Sequence, residues 1–252
     1  MIIVIVAIFG LIIGSFLNAV IYRLHSGQSI VSDRSRCIYC HHELAAKDLI
    51  PIFSFIWLRG RCRYCQGSIS WQYPIIELTT ALSFALLAYN YNLQPINYNL
   101  FFALVFICFL IVIGVFDFKH FLILDKVVYP ALLLGVVWQV FFGKILDGLL
   151  AALIIAGFFA VQYFISKGRW IGFGDVKFGL FLGMVFGVKL GLVMVLLGYF
   201  IGALTGLILI FLGKKHLGSK LPFGSFLSIS GIIVLIWGER ILNWYLGLIG
   251  IN

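Results

Sequence analysis

Long apolar runs separated by short polar stretches dominate the chain almost from end to end. Runs at 2–22, 75–92, 97–117, 126–142, 145–166, 176–188, 190–213 and 223–248 lie near the length of about 20 residues with which an α-helix crosses roughly 30 Å of hydrocarbon. The prediction is an all-α polytopic membrane protein of about eight transmembrane helices. The first run carries no charge before Arg23 and lacks the basic start and small-residue cleavage site of a secretory leader, so it reads as a retained span. From Phe178 to Gly213 the apolar stretch is too long for one helix and short for two. Lys189 divides it, so one span there is expected to be brief, tilted or partly re-entrant.

Composition agrees with a bilayer as the solvent. Hydrophobic residues make up 63% of the 252-residue chain and charged ones 11%, with a mean hydropathy of +1.12, far from the usual soluble domain. The polar interruptions sort by charge. Threaded through eight spans with the N-terminus outside, fifteen of the 18 Lys and Arg residues fall on one side, and only Lys144, Lys189 and Arg240 on the other. The basic side is expected to be cytoplasmic. The net charge of +9 is therefore mostly a matter of topology, and no nucleic-acid partner is expected, because the only sizeable soluble segment is 23–74. The organisation read from this pattern is a first span at 1–22, a cytoplasmic loop at 23–74 and a membrane core at 75–252.

The loop contains four of the five cysteines, spaced Cys37-x2-Cys40, 21 residues, Cys62-x2-Cys65. A two-residue gap lets both sulfurs of a pair turn toward one metal, and two such pairs suit a tetrahedral zinc site. A reducing cytoplasmic setting argues against two disulfides there; four free thiols or a redox pair are the alternatives. His41 and His42 follow directly and read as solvated loop residues beside a complete thiolate set. Cys108, inside an apolar run, reads as packing.

Acidic residues are few, nine in all, so their positions are informative. Asp33, Glu43 and Asp48 belong to the loop and read as hydrated surface charges. Asp147 and Glu239 fall near the outer face, beside Lys144 and Arg240, where they pair or cap helices. Asp117 closes the third span and Asp175 opens the sixth, both at the cytoplasmic end. Ionisable groups at such depth usually face a protein interior or a water-filled cavity. Two nearby carboxylates can share one proton, which is the requirement of an aspartyl protease: one aspartate takes a proton from water while the other donates to the scissile carbonyl. In "GFGDVK" (172–177), Gly172 and Gly174 would admit a substrate strand close to Asp175, or mark a turn that Asp175 caps. A proton- or cation-coupled carrier using the same aspartates is the alternative from another class.

The order of motifs resembles the type IV prepilin peptidase family of GxGD membrane aspartyl proteases. The likeness runs through "GSFLNAVIYRL" at 14–24, "SRCIYC", "LRGRCRYC", "YPIIEL" at 73–78, "DFKHFLILD" at 117–125 and "GFGDVK". Carried over by position, it implies Asp117 and Asp175 as the catalytic pair and Asp125 as a supporting acid. Leu124 departs from the pattern, which commonly has proline there. The resemblance also implies the substrates, type IV prepilin or pseudopilin precursors cleaved at the cytoplasmic side of the bacterial membrane. Many members methylate the new N-terminus with S-adenosylmethionine, and the intact cysteine loop favours that bifunctional form. Gly60 and Glu77 are the residues expected to serve this cofactor. Lys119, Lys126 and Lys177 either adjust aspartate ionisation or serve as cytoplasmic anchors, and Asn18 is a candidate for a polar group in the cavity or a bond between helices.

Overall fold

The computed structural model describes residues 2–91, 98–216, 218–248 and 250. Its helices are α1 (Ile2–Ser26), the short α2 (Phe53–Trp57), α3 (Gln72–Asn90), α4 (Tyr98–His120), α5 (Asp125–Phe141), α6 (Ile145–Ser166), α7 (Phe173–Phe211) and α8 (Phe223–Leu248). Five of them, α1, α4, α6, α7 and α8, are long and apolar enough to cross a membrane. The ends of the expected runs at 92 and 97 lie outside the described residues. The chain forms two compact units, Met1–Val112 and Ile113–Asn252.

In the first unit α1 and α3 run antiparallel. Gly10 meets Ala81 and Gly14 meets Glu77, with a Cβ on either glycine falling 2.7 Å from the facing Cα. Two small residues four apart bring the backbones together, the small-xxx-small packing of membrane helices. Asn18 supplies the polar part of this contact. Its amide donates to the Gly14 and Tyr73 carbonyls at 3.2 and 3.1 Å, and its oxygen accepts from Gln72 at 3.2 Å. Of the two roles expected for Asn18, the bond between helices is the one formed.

The second unit settles the ambiguous stretch between Phe178 and Gly213. α7 is 39 residues long but is not one rod, because Gly187 has φ 66° and ψ −176°, a region open essentially to glycine alone. On the first arm, 173–186, Gly179 faces Phe159 and Gly183 faces Ala152; on the second, 188–211, Gly191 faces Ile155 and Tyr199 bonds Gln162 at 2.8 Å. The first arm thus descends α6 and the second climbs it, so the chain reverses at Gly187. By a rise of about 1.5 Å per residue the first arm is about 21 Å long, the brief span expected from sequence, and the second about 36 Å. Counting the arms separately gives eight long helical segments among the described residues.

Asp147 secures the turn. Its carboxylate accepts from the Val188 N–H at 3.4 Å, at the start of the second arm. Of the two roles the sequence offers Asp147, pairing or capping, it caps, and the helix it caps is the second arm of α7. At the same end Gln139 donates to the Met184 carbonyl at 2.7 Å. One end of this unit therefore holds the α5–α6 connection and the α7 turn, while the opposite end holds the C-terminus of α4 and the starts of α5, α7 and α8.

Candidate active site

That second end collects the acids. Asp117 sits one turn before the end of α4 and is 6% exposed; Asp175 is the third residue of α7 and is 7% exposed. Asp117 turns its Oδ2 to the first turn of α8, where the Ser225 N–H donates at 2.8 Å. Ser225 Oγ lies 3.1 Å from the same oxygen and 2.8 Å from the Gly114 carbonyl, and its single hydrogen serves one of them at a time. Asp117 is thus an N-cap supplied to α8 by another helix, on the positive end of its dipole. Asp175 caps its own helix: the Gly172 N–H donates to its Oδ2 at 2.9 Å.

Ile123, buried in the α4–α5 connection, packs against Gly174, the neighbour of Asp175, and against Gly224. A Cβ on Gly174 would stand 3.0 Å from Ile123 Cβ; one on Gly224 would stand 2.9 Å from its Cδ1 and 3.1 Å from Asp117 Cγ. Gly174 is therefore required by a close approach, whereas Gly172 has an ordinary extended backbone (φ −83°, ψ 158°). Capping and dyad readings of "GFGD" are compatible, since the first-turn position gives Asp175 its place.

Ser225 and Gly224 escaped the sequence reading. Their signal was "LPFGSF" at 221–226, a proline, glycine and serine directly ahead of an apolar run, which is a helix-start pattern. Lys177 also differs from expectation. Its ammonium makes a two-pronged contact with Asp125 at 2.7 and 2.9 Å and lies 5.7 and 5.4 Å from the Tyr129 and Phe173 ring centres, so it joins the start of α7 to α5 instead of facing the dyad. Leu124 begins α5 at φ −80°, within the range of the proline usually found there, and its carbonyl accepts from Val127 and Val128 at 3.0 Å.

The cysteine loop, in the first unit, is built as a repeat displaced by 25 residues. Cys37 N–H bonds the His42 carbonyl and Cys62 N–H that of Gly67, at 3.0 and 2.8 Å; His41 and Gln66 return bonds to the Cys37 and Cys62 carbonyls, both at 3.0 Å. Isolated bridges join Arg36 to Glu43 and Arg61 to Ser68. Each knuckle thereby turns two sulfurs inward, and ligand atoms of all four cysteines lie within 4.8 Å of one another. Cys37 and Cys65 sulfurs are 3.7 Å apart, close to the roughly 3.8 Å edge of a tetrahedron with 2.3 Å Zn–S bonds. Burial raises the Cys37 thiol, but bonds from the Cys40 and Tyr39 backbone and from neighbouring thiols bring it down to about 7. At Cys65 the Gly67 backbone bond is outweighed by burial and the neighbouring thiols, which push the thiol up to about 11; a metal would need all four as thiolates. His41 and His42 stay outside this set.

Asp48 corrects the reading of loop acids as hydrated charges. Its side chain is 3% exposed, and it accepts from Arg63 at 2.7 Å, Tyr64 at 3.1 Å and the Ala45 N–H at 3.2 Å. Burial works against its charge, but these donors prevail and hold the carboxyl below its ordinary range.

Glu77 and Gly60 are brought to the same short element. Glu77, 5% exposed, accepts from the Ile52 N–H at 2.7 Å, at the entry to α2. Gly60, at φ 69°, would place a Cβ 3.3 Å from the Phe55 ring, and its N–H bonds the Phe55 carbonyl at 2.8 Å. Glu77 thus holds the start of α2 and Gly60 lies against Phe55 within it.

Residues 8–91 match the bacterial peptidase A24 N-terminal domain, and residues 104–207 the type IV leader peptidase family. Relatives carrying the name prepilin leader peptidase/N-methyltransferase include one from Aeromonas hydrophila, 31% identical over 96% of this chain and 92% of its own length. Another, from Bacillus subtilis (strain 168), is 33% identical over 95% of this chain and 96% of its own. A third, from Legionella pneumophila, is 32% identical over 96% and 94%. No solved structure matches. The carrier reading finds no support in these relatives.

Proposed function

The chain belongs to the type IV leader peptidase family, and from that premise we propose that it removes the basic leader of type IV prepilin-like precursors at the cytoplasmic face of the bacterial membrane and methylates the amine so exposed. The observation that supports the first activity is that Asp117, near the end of α4, and Asp175, in the first turn of α7, are both buried within one unit, where Ile123 packs against Gly174 and Gly224. Their bonding divides the labour. Asp117, with the Ser225 N–H and hydroxyl beside its Oδ2, is the better supported as a carboxylate and takes a proton from the attacking water. Asp175, with one N–H donor, holds the proton given to the scissile carbonyl oxygen. Water oxygen bonds to the carbonyl carbon, the C–N bond breaks, and the proton taken from water leaves with the amine.

Asp117→Asn and Asp175→Asn should each reduce cleavage of a prepilin in membrane vesicles by about 10²–10⁴-fold while the protein still inserts. Full cleavage by either variant would remove the dyad assignment.

Zinc and S-adenosylmethionine are the proposed cofactors. Cys37, Cys40, Cys62 and Cys65 would hold zinc as a closed, structural set with no open position. When bound, S-adenosylmethionine supplies a methyl group on a cationic sulfur. Gly60 and Glu77 are the proposed residues for it, Gly60 acting by leaving room for the Phe55 ring. Gly60→Ser and Glu77→Gln should lower methyl transfer to an already cleaved pilin more than they lower leader removal. Mass spectrometry of the pilin N-terminus would then show an unmethylated mature species. A parallel loss of both activities would return these residues to a purely supporting part.

A further inference from the structure

Between the two knuckles the loop presents apolar side chains outward, where a segment surrounded by water would present polar ones. α2 turns Phe53, Ile56 and Trp57 to the outside, Trp57 at 81% exposure, while Ser54, Phe55 and Leu58 are partly covered. The outward residues are spaced i, i+3 and i+4 and so share one face of the helix. Leu49 and Ile50, just ahead of α2, are exposed as well. Single apolar residues on a surface are ordinary, but a contiguous set on one face marks a contact.

The surroundings of this face identify what it meets. It continues the outer side of α3. Trp71, the residue before α3, is exposed, and so are Ile75, Leu78 and Leu82. Intervals of four, three and four residues keep these on one side of the helix, and α1 leaves that side uncovered because it packs against Glu77 and Ala81. α2 is seated beside this stripe. The Phe55 and Trp71 ring centres are 5.0 Å apart, and the Glu77 carboxylate accepts from the Ile52 N–H at 2.7 Å. Glu77 is five residues past the start of α3, about 7.5 Å along its axis. The loop therefore folds back alongside α3, by an offset comparable with the roughly 5–10 Å to which an interfacial helix buries its apolar face. The rim is cationic. Arg34, Arg36 and Arg63 each have a carboxylate partner, whereas Arg59 and Arg61 are exposed and make no ion pair among the described residues. Tryptophan beside arginine is the composition of a membrane–water interface, and anionic headgroups attract each basic residue held near them.

We infer that α2 and Trp71 form an interfacial anchor on the bilayer that contains α1, with Phe53, Ile56 and Trp57 in the boundary between headgroups and acyl chains and with Arg59 and Arg61 on anionic phospholipid phosphates. In sequence α2 lies between the two knuckles, so the anchor holds the cysteine cluster against the membrane surface instead of on a freely swinging loop. This contact depends on neither leader cleavage nor methylation.

The test uses the full-length protein in lipid nanodiscs, whose two faces are both open to solutes. Tryptophan emission is recorded in a phosphatidylcholine–phosphatidylglycerol mixture with plain acyl chains, then with chains brominated near the headgroup, and separately with acrylamide as a quencher from the water. The contribution of each residue is the emission lost in Trp57→Phe or in Trp71→Phe. The two variants report independently, and the melting temperature of each is checked against wild type. The expected result is that brominated chains diminish both contributions and acrylamide reaches them poorly. Replacing phosphatidylglycerol by phosphatidylcholine, or combining Arg59→Gln with Arg61→Gln, should weaken the bromine quenching. Contributions quenched by acrylamide and untouched by bromine put the face in water and overturn the anchor. Contributions reached by neither quencher mean that protein covers the face, a second copy of this chain or another, and overturn lipid as the occupant. Bromine quenching indifferent to both phosphatidylglycerol and the arginines overturns the anionic preference.

Discussion

Asp125 and Lys177 are the pair whose importance is easiest to overrate. Their side chains are 52% and 23% exposed, and ion pairs so open to water contribute little to stability. Yet Lys177 is in the first turn of α7, two residues beyond Asp175, and Asp125 begins α5. The contact therefore ties the start of α7, which carries Asp175, to the start of α5. Lys177→Met should lower kcat for leader cleavage only several-fold, and the swapped pair Asp125→Lys with Lys177→Asp should recover most of it. A loss as complete as that of Asp117→Asn would instead make Lys177 part of the chemistry. Asp48 poses the opposite case, an acid that is covered and partnered. Its folded carboxyl titrates below its unfolded value, so the stability it adds is present above the unfolded pKa of about 3.9 and is lost as pH falls through the lower, folded one. Asp48→Asn should loosen the loop at neutral pH, and the difference from wild type should vanish in acid, as followed by tryptophan fluorescence from Trp57 and Trp71. The sequence showed which acids were scarce enough to matter. It did not show that Arg63 would reach back to Asp48, because that bond depends on how the second knuckle folds over the first.

At the level of elements, apolar run length located the helices well, placing α6 and α8 at their observed ends. The α7 region was read as two spans from its length and from Lys189, but the reversal itself falls at Gly187, two residues earlier. Sequence alone offered many glycines there, and only the Asp147 cap on Val188 singles out this one. A Cβ at Gly187 would collide with the Asp147 carboxylate as well as strain the backbone. Gly187→Ala should cost about 1–3 kcal/mol from backbone strain, seen as a lower melting temperature in detergent. Adding Asp147→Ala should relieve the collision but not the strain, giving a double variant less destabilised than the sum of the two single ones. Strict additivity would mean that Asp147 and Gly187 do not share the turn. The knuckles were legible for a different reason: Cys-x2-Cys is a local signal, and the repeat with its left-handed His41 and Gln66 follows from local hydrogen bonds.

For the molecule as a whole, the sides of the membrane are set by charge and the threading by contacts, and the two arguments are independent. Contacts within the second unit put the end of α4 and the starts of α5, α7 and α8 together through Asp117, Ser225, Asp125 and Lys177. The same contacts put the α5–α6 connection beside the α7 turn through Gln139 and Asp147. Charge assigns Lys119, Lys126, Lys177, Lys214 and Lys215 to the first of these ends and Lys144 and Lys189 to the second. The positive-inside rule favours a cytoplasmic position for the end with Asp117 and Asp175, which is the orientation proposed above. Alkaline phosphatase inserted at 143 should therefore be active and at 214 inactive, with a fluorescent protein that folds only in the cytoplasm giving the reverse pattern. The opposite result would invert the orientation and place the dyad on the outer face, away from any leader still in the cell. The segment 23–74 provides an internal control, because it shares its side with 214 in the eight-span threading. Disagreement between reporters at 30 and at 214 would mean that the number of crossings between them is odd, and that one arm of α7 does not traverse the bilayer.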